Sequence, residues 1–233
     1  MNVYYSFSEG FFVNSVRDDF GNVSEDPETG LQHEIGFKAI VLDSKLSFGI
    51  NYFSIERENV PTLVAVTNPG APPQSLLIEG REQKHQGVEV ELVGTPLSGL
   101  DIIANYSFLD AEITQDITFP DNVGNDVGRT AEHLASLYAQ YEFLKGPLTG
   151  LFFGAGLSYT GELVVDDANT FAFDPRTLVS ANIGYPITEN LEFSINGQNL
   201  ADETYFVTDS GSTQINNFFG APRSVLVTLK AEF

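Results

Sequence analysis

Asp and Glu number 32 against 11 Lys and Arg in 233 residues, a formal charge of −21, and so sparse and scattered a basic set excludes nucleic acid as a partner, because phosphate binding needs cationic clusters. The absence of cysteine removes a disulfide framework and a thiolate metal site. Apolar residues make up 42% of the chain, yet no run approaches the ~18 residues of a membrane-spanning helix, so the apolar content has to sit in strands.

The first segment, 2–9, already alternates, with Val3, Tyr5 and Phe7 set against Tyr4 and Ser6. No basic segment followed by an apolar core opens the chain, so 1–12 is read as a strand and not as a signal peptide. A membrane barrel must be exported, and the chain is therefore expected to be part of a longer product. Further strands are predicted at 29–42, 45–57, 78–94, 100–114, 130–143, 150–162, 174–186, 190–200 and 217–233. They are joined by short turns at 42–44, 95–99, 145–150 and 186–190 and by long connections at 10–28, 58–77, 115–129, 163–173 and 201–216. Gly, Pro, Asn and Asp in the short turns supply ordinary turn chemistry. Short and long connections alternate strictly, as at the two rims of an outer-membrane barrel.

The strands carry two chemically different faces. In 100–108, Leu100, Ile102, Ala104, Tyr106 and Phe108 oppose Asp101, Ile103, Asn105 and Ser107; in 135–143, Ala135, Leu137, Ala139, Tyr141 and Phe143 oppose Ser136, Tyr138, Gln140 and Glu142. The last strand sets Val225, Val227, Leu229, Ala231 and Phe233 against Leu226, Thr228, Lys230 and Glu232. Successive strand side chains point to opposite faces. Charges and amides are costly in a dry sandwich core but not in a wet lumen. The expected fold is all-β: an antiparallel transmembrane β-barrel meander of about ten strands, with aromatics near the strand ends forming a girdle.

The acids gather in the long connections, as in Asp18–Asp19, Asp116–Asp126 and Asp166–Asp167, and are read as solvated loops. His33, His85 and His133 lie in different strands without a partner at metal spacing and are given wall or rim roles. No nucleophile–base grouping and no phosphate-cradling glycine loop is present. The expectation is no enzyme, no catalytic residue, no metal site and no resident cofactor. Gly87, Gly94, Gly154 and Gly156 are expected to relieve crowding or permit bulges on the lumen side.

Several motifs carry a resemblance. Pro27-Glu28-Thr29-Gly30 followed by Glu34-Ile35-Gly36-Phe37-Lys38 resembles a stretch of the TonB-dependent receptors, and Tyr4 to Phe11 is similar to the strand before it. Gly80 to Glu91, Asn105-Tyr106-Ser107-Phe108-Leu109-Asp110-Ala111, Asn199-Leu200-Ala201-Asp202-Glu203-Thr204-Tyr205 and Gly220-Ala221-Pro222-Arg223 resemble further strands and signatures of that family, in the same order. Gly146 to Leu151 and the loop 166–173 are similar to its siderophore-receptor branch, of ferrichrome type.

The resemblance implies that 1–233 is the C-terminal part of a 22-stranded barrel with a plugged lumen, the plug domain and first strands lying outside this sequence. It implies a cell outer membrane receptor for ferric siderophore uptake, energy-coupled through the TonB complex. The partners so implied are outer-membrane lipid, the ferric siderophore as transported ligand and the barrel-assembly machinery. The alternative is a small self-closed barrel, or a β-structured binding module without transport. Ligand contacts at the extracellular mouth are expected from Phe11, Phe12, Arg17, Phe119, Arg129, Tyr205, Phe206 and Phe218, the aromatics by apolar and stacking contact. Arg17, Arg129 and Arg176 are otherwise expected to pair with nearby carboxylates, and Arg223 to join an inner ladder with Glu203 or Glu192. Val225, Val227, Leu229 and Phe233 are the implied barrel-assembly signal.

Overall fold

The computed structural model describes residues 1–13, 18–22, 26–66, 74–208 and 217–232. Strands dominate: β1 (Asn2–Phe12), β2 (Glu28–Val41), β3 (Leu46–Val66), β4 (Gln74–Leu97), β5 (Leu100–Gln115), β6 (His133–Glu142), β7 (Phe152–Thr160), β8 (Leu163–Val164), β9 (Ala172–Phe173), β10 (Arg176–Thr188), β11 (Leu191–Gln198), β12 (Phe206–Thr208), β13 (Asn217–Phe219) and β14 (Ser224–Ala231). Among the described residues no helix is long and apolar enough to cross a membrane.

Ten strands form one antiparallel sheet in the order β1-β2-β3-β4-β5-β6-β7-β10-β11-β14, while β8–β9 and β12–β13 are small separate hairpins within the long connections. The meander of ten wall strands is the predicted one. The sheet does not close: β1 and β14 are its two edges, so the self-closed small barrel is not the arrangement adopted.

The pairing register makes the two faces explicit. One row across the sheet joins Phe37, Ile50, Val90, Tyr106, Ala135 and Tyr159; the next joins Lys38, Gly49, Glu91, Asn105, Ser136 and Ser158. A one-residue slip in any strand would exchange the rows, so an environment that separates apolar from polar specifies the register. Cavities of about 550 and 420 Å³ lie against the polar face. The apolar face is left open: Leu137, Leu157, Phe153 and Ile183 are all close to half exposed. Among the described residues the buried apolar set is only Ala39, Ala111, Ile113, Ala131, Val165 and Phe173. Such a sheet has no dry centre; its apolar rows are satisfied by hydrocarbon, and its backbone by neighbouring strands.

Aromatics bound this apolar belt at both ends. Toward the long loops, Tyr5 shares a 2.7 Å hydrogen bond with Nδ1 of His33 beside Phe7, and Tyr106 shares one of 3.0 Å with Nδ1 of His133 beside Phe108. Toward the short turns, Tyr141, Phe143 and Phe153 pack with ring centroids 5.2–6.3 Å apart. Rings with one apolar and one polar side suit the water–lipid boundary. His33 and His133 thus take rim roles on the outer side, whereas His85 faces inward and lies 3.3 Å from Gln83 Oε1.

Several predicted boundaries move. The connection 58–77 is largely strand, because β3 runs to Val66 and β4 begins at Gln74. Pro61 lies inside β3 where the β3–β4 register shifts on both sides of Val60, and Asn59 takes a left-handed φ of 56°. A proline at such an irregularity removes no ladder bond, so the strand continues past it. The predicted strand 217–233 divides into β13 and β14 at Gly220–Arg223. The loops 163–173 and 201–216 hold the β8–β9 hairpin and β12. Gly87, Gly154 and Gly156 face the lumen as expected, but Gly94 sits in the outer row between Leu46 and Ile102, at a bulge.

Candidate functional site

The long connections gather at one end of the sheet, and two of them are locked together. Within 116–131, the backbone N–H of Arg129 donates to the Val164 carbonyl (2.6 Å), and that of Gly128 to Asp167 Oδ1 (2.8 Å). Asn125 Nδ2 donates to the Asp167 carbonyl, and Asp126 and Asn169 bond each other reciprocally at 2.9 Å. Beneath them, Arg81 on β4 reaches Asp167 Oδ2 at 2.8 Å and Asp116 Oδ2 at 3.6 Å; Arg81 and Asp116 are buried. Asp116 also accepts the N–H groups of Thr118 and Phe119 (3.0 and 2.9 Å), which sets up the single helical turn Pro120–Asn122.

The acid clusters are therefore not simply solvated. Asp18 is buried and accepts from Phe20, Asn22 and Leu77; Asp19 accepts from Ser75 N (2.6 Å), tying that loop to the start of β4. Burial by itself would raise the Asp18 carboxyl, but the hydrogen bonds from Asn22, Leu77 and Phe20 outweigh it and hold the group below the usual carboxylate range.

A second arrangement joins the hairpins. Phe171 meets Phe173 edge-on, and Phe173, Phe206 and Phe219 stack in sequence, with successive centroids 5.4, 5.7 and 4.7 Å apart. Tyr205 stands beside this ladder, its ring covered by the Arg176 guanidinium at 4.8 Å. An added Cβ at Gly220 would fall 2.0 Å from the Tyr205 ring, so only glycine fits there. Buried Asn199, at φ 48°, holds the base: its side-chain nitrogen donates to the carbonyls of Glu203 (2.9 Å) and Ala221 (3.0 Å), and its oxygen accepts the Glu203 N–H (2.8 Å). The signature 199–205 and the segment Gly220–Arg223 thus form one knot. Asn199→Ala is expected to destabilise the fold by about 3 kcal/mol, three bonds at about 1 kcal/mol each. A fall in the urea midpoint of the refolded protein in detergent checks it.

The predicted ligand residues separate into groups. Tyr205 and Phe206 meet at the ladder, and Phe218 lies beside it on β13, 57% exposed. Phe11 and Phe12 end β1, at the opposite edge of the sheet. Phe119 introduces the helical turn, and Arg129, with φ 68°, spends its backbone on the loop lock while its side chain stays exposed. Arg17 and Phe233 lie outside the described residues. Val225, Val227 and Leu229 sit on the apolar face of edge strand β14.

Two pairings differ from expectation. Arg176 faces Tyr205 and donates to the Phe206 carbonyl (3.2 Å), not to a carboxylate. Arg223 pairs with Asp202 at 3.2 Å, not with Glu203 or Glu192, because the 199–205 turn brings Asp202 beneath it. Sequence reasoning missed the Arg81 lock; a lone arginine two residues from Gln83 in a strand offers no signal of a partner 86 residues later.

The chain is 31% identical over 238 residues to the ferrichrome outer membrane transporter/phage receptor of Escherichia coli, covering 99% of this chain and 30% of the transporter. It is 29% identical to the ferripyoverdine receptor of Pseudomonas aeruginosa, covering all of this chain and 28% of that receptor. It thus spans under a third of the length of these relatives. The solved structure of the pyoverdine outer membrane receptor of P. aeruginosa bound to pyoverdine superposes with a TM-score of 0.78 at 27% identity, over 99% of this chain and 34% of the receptor. The family model of TonB dependent receptor-like β-barrels matches residues 1–200. With one apolar and one polar face and its loops gathered at one rim, the chain belongs to the TonB-dependent receptor β-barrel family, the barrels of the Gram-negative outer membrane.

Proposed function

We propose that this chain forms part of the wall and mouth of an outer-membrane receptor that takes up a ferric siderophore, driven through the TonB system. The observation that carries this reading is the alignment of essentially the whole chain with a ferrichrome transporter, together with a continuous ten-strand wall. In lipid an open sheet edge is not viable, so β1 and β14 pair with further strands of one closed wall, whose lumen holds a plug. The role of the chain is transport and not catalysis. The ferric chelate is cargo, and no resident cofactor is required. Outer-membrane lipid contacts the apolar belt, and the barrel-assembly machinery reads β14 with Phe233.

The stacked ladder with Tyr205, Phe206 and exposed Phe218 supports this role, since rigid aromatics at a mouth offer a surface for an apolar chelate. The test is uptake of radiolabelled ferric chelates by cells that express the complete reading frame but no other ferric receptor. Uptake that disappears when TonB is deleted is the expected result. Absence of uptake and of surface binding for every chelate class would overturn the reading.

A further inference from the structure

We propose that Arg81 is a positioning residue for ligand capture: by pinning the β8–β9 hairpin to β4, it holds the aromatic ladder of the mouth in one arrangement. This deepens the siderophore reading above and rests on it.

The ladder is held from two sides. At its Tyr205 end, the Asn199 knot, the Leu200 N–H bonded to the Val179 carbonyl and the Arg176 guanidinium fix it to β10 and β11. At its Phe171 end it belongs to the β8–β9 hairpin, whose two strands have two residues each. A hairpin so short is not stable alone, so its place is set by what it is fastened to. Phe173 is buried and stacks on Phe206 with 20° between the rings. Any shift of the hairpin is therefore passed to Phe206.

The hairpin is fastened over a small buried region at the loop end. Among the described residues, all of the buried apolar set except Ala39 belong to it: Ala111 and Ile113 on β5, Ala131 in the next connection, and Val165 and Phe173 in the hairpin. Their segments are bonded in series. The Val127 N–H donates to the Ala111 carbonyl (2.8 Å) and the Ile113 N–H to the Asn125 carbonyl (2.9 Å), Ala131 bridges to Leu163, and Leu163 pairs with Phe173.

Arg81 is the charged pin of this region. Its side chain is 9% exposed and stands between two carboxylates, with Nη1 2.8 Å from Asp167 Oδ2 and Nε 3.6 Å from Asp116 Oδ2. Only the first distance is that of a hydrogen bond. Arg81 Nε and Nη2 and Asp116 Oδ2 are buried without a hydrogen-bond partner. The desolvated guanidinium thus relies on Asp167, which lies four residues before Phe171 in the hairpin turn. Removing it leaves two neighbouring carboxylates without a cation, and the turn is pushed away from β4.

A pinned ladder is preorganised. A ligand that meets rings already in place spends no affinity on ordering them, whereas a receptor whose competent arrangement is only fractionally populated binds more weakly by that fraction.

The test compares Arg81→Ala, Arg81→Lys and Asp167→Asn in the complete reading frame, expressed in the outer membrane. Asp167→Asn keeps the Oδ1 acceptor for the Gly128 N–H and removes only the arm to Arg81. Heat-modifiability reports the wall and is expected to be unchanged in this variant; where Arg81→Ala lowers the folded fraction, Asp167→Asn decides. The first readout is trypsin on intact cells, scored by peptides that end at Arg129, whose side chain is exposed but whose backbone is bonded to Val164. Arg81→Ala and Asp167→Asn are expected to speed this cleavage at least about tenfold, because proteolysis follows the population of the opened loop. Arg81→Lys keeps a cation beside Asp167 and is expected to fall between them and the parent.

The second readout is the Kd of a ferric trihydroxamate and of a ferric tris-catecholate, with and without Phe206→Ala. For the probe that the parent binds, affinity is expected to fall at least about tenfold in Asp167→Asn, as when about a tenth of the molecules keep the competent arrangement. Once Phe206→Ala has removed the ring, Asp167→Asn is expected to cost little more. Cleavage at Arg129 as slow as in the parent overturns the pin. Faster cleavage with unchanged affinity, or losses that simply add to that of Phe206→Ala, overturns the positioning role while leaving the receptor reading intact. A parent that binds neither probe counts against the receptor reading and the capture role together, and the cleavage pattern then tells this from a missing lock.

Discussion

Leu157→Arg is expected to cost about 2–4 kcal/mol and to remove most of the folded barrel, the penalty of a cation near the bilayer midplane. Leu157 is on β7 between Leu137 and Val179, two apolar residues of the outer row, with Phe153 toward one aromatic boundary and Tyr159 toward the other. The adjacent Ser158 faces Ser136 and Leu178 on the polar side. Ser158→Arg is therefore expected to cost under about 1 kcal/mol, since its charge is met by water. Refolding each variant of the complete receptor into lipid vesicles, and scoring the fraction that migrates differently before and after boiling, compares them. Equal damage from both substitutions would mean that the two faces do not meet different solvents. The pair is informative because it changes neither strand propensity nor register, only which side of the wall receives the charge.

Gly87→Val is expected to destabilise the sheet by about 3 kcal/mol or more. A Cβ at this position would lie 2.1 Å from the Phe108 carbonyl oxygen and 2.9 Å from the Phe53 ring. The nearer obstacle is backbone, so no rotamer change relieves it; β4 and β5 have to separate and ladder bonds are lost. Gly30, also on the inner face, has nothing within 4 Å of the same hypothetical atom. Gly30→Ala is expected to be neutral or to stabilise by up to about 1 kcal/mol, because alanine restricts the unfolded chain. Urea midpoints of both variants in the same lipid separate a steric role of Gly87 from a general need for glycine in the wall. A Gly87→Val midpoint equal to that of the parent would show that β4 and β5 can move apart without cost.

The two faces were legible in the sequence because strand side chains alternate with a period of exactly two residues and the two solvents differ sharply. Tyr106 and Asn105 need no coordinates to be assigned to opposite sides, and the register confirms them. The limits of the elements were less legible. Pro61 and the acid-rich runs are ordinary loop signals, but Pro61 lies at a register shift inside β3, and Asp18 and Asp116 are buried acceptors that organise their loops. Gly94 reads like the other wall glycines, yet its even spacing from Val90 and Leu92 places it on the outer side. The candidate site was legible only as composition: aromatics and arginines in long loops. Tyr205 and Phe206 joined one ladder, whereas Phe11 and Phe12 went to the far edge of the sheet.

What the sequence determined by itself is the two-sided wall, since alternation is a local property and each strand carries its own record of lipid on one side and water on the other. What only the tertiary structure decided is which distant groups meet: Arg81 with Asp167, Asn199 with Ala221, Arg223 with Asp202, Phe173 with Phe206. These contacts join segments up to 86 residues apart, and their energies depend on distances that no local pattern encodes.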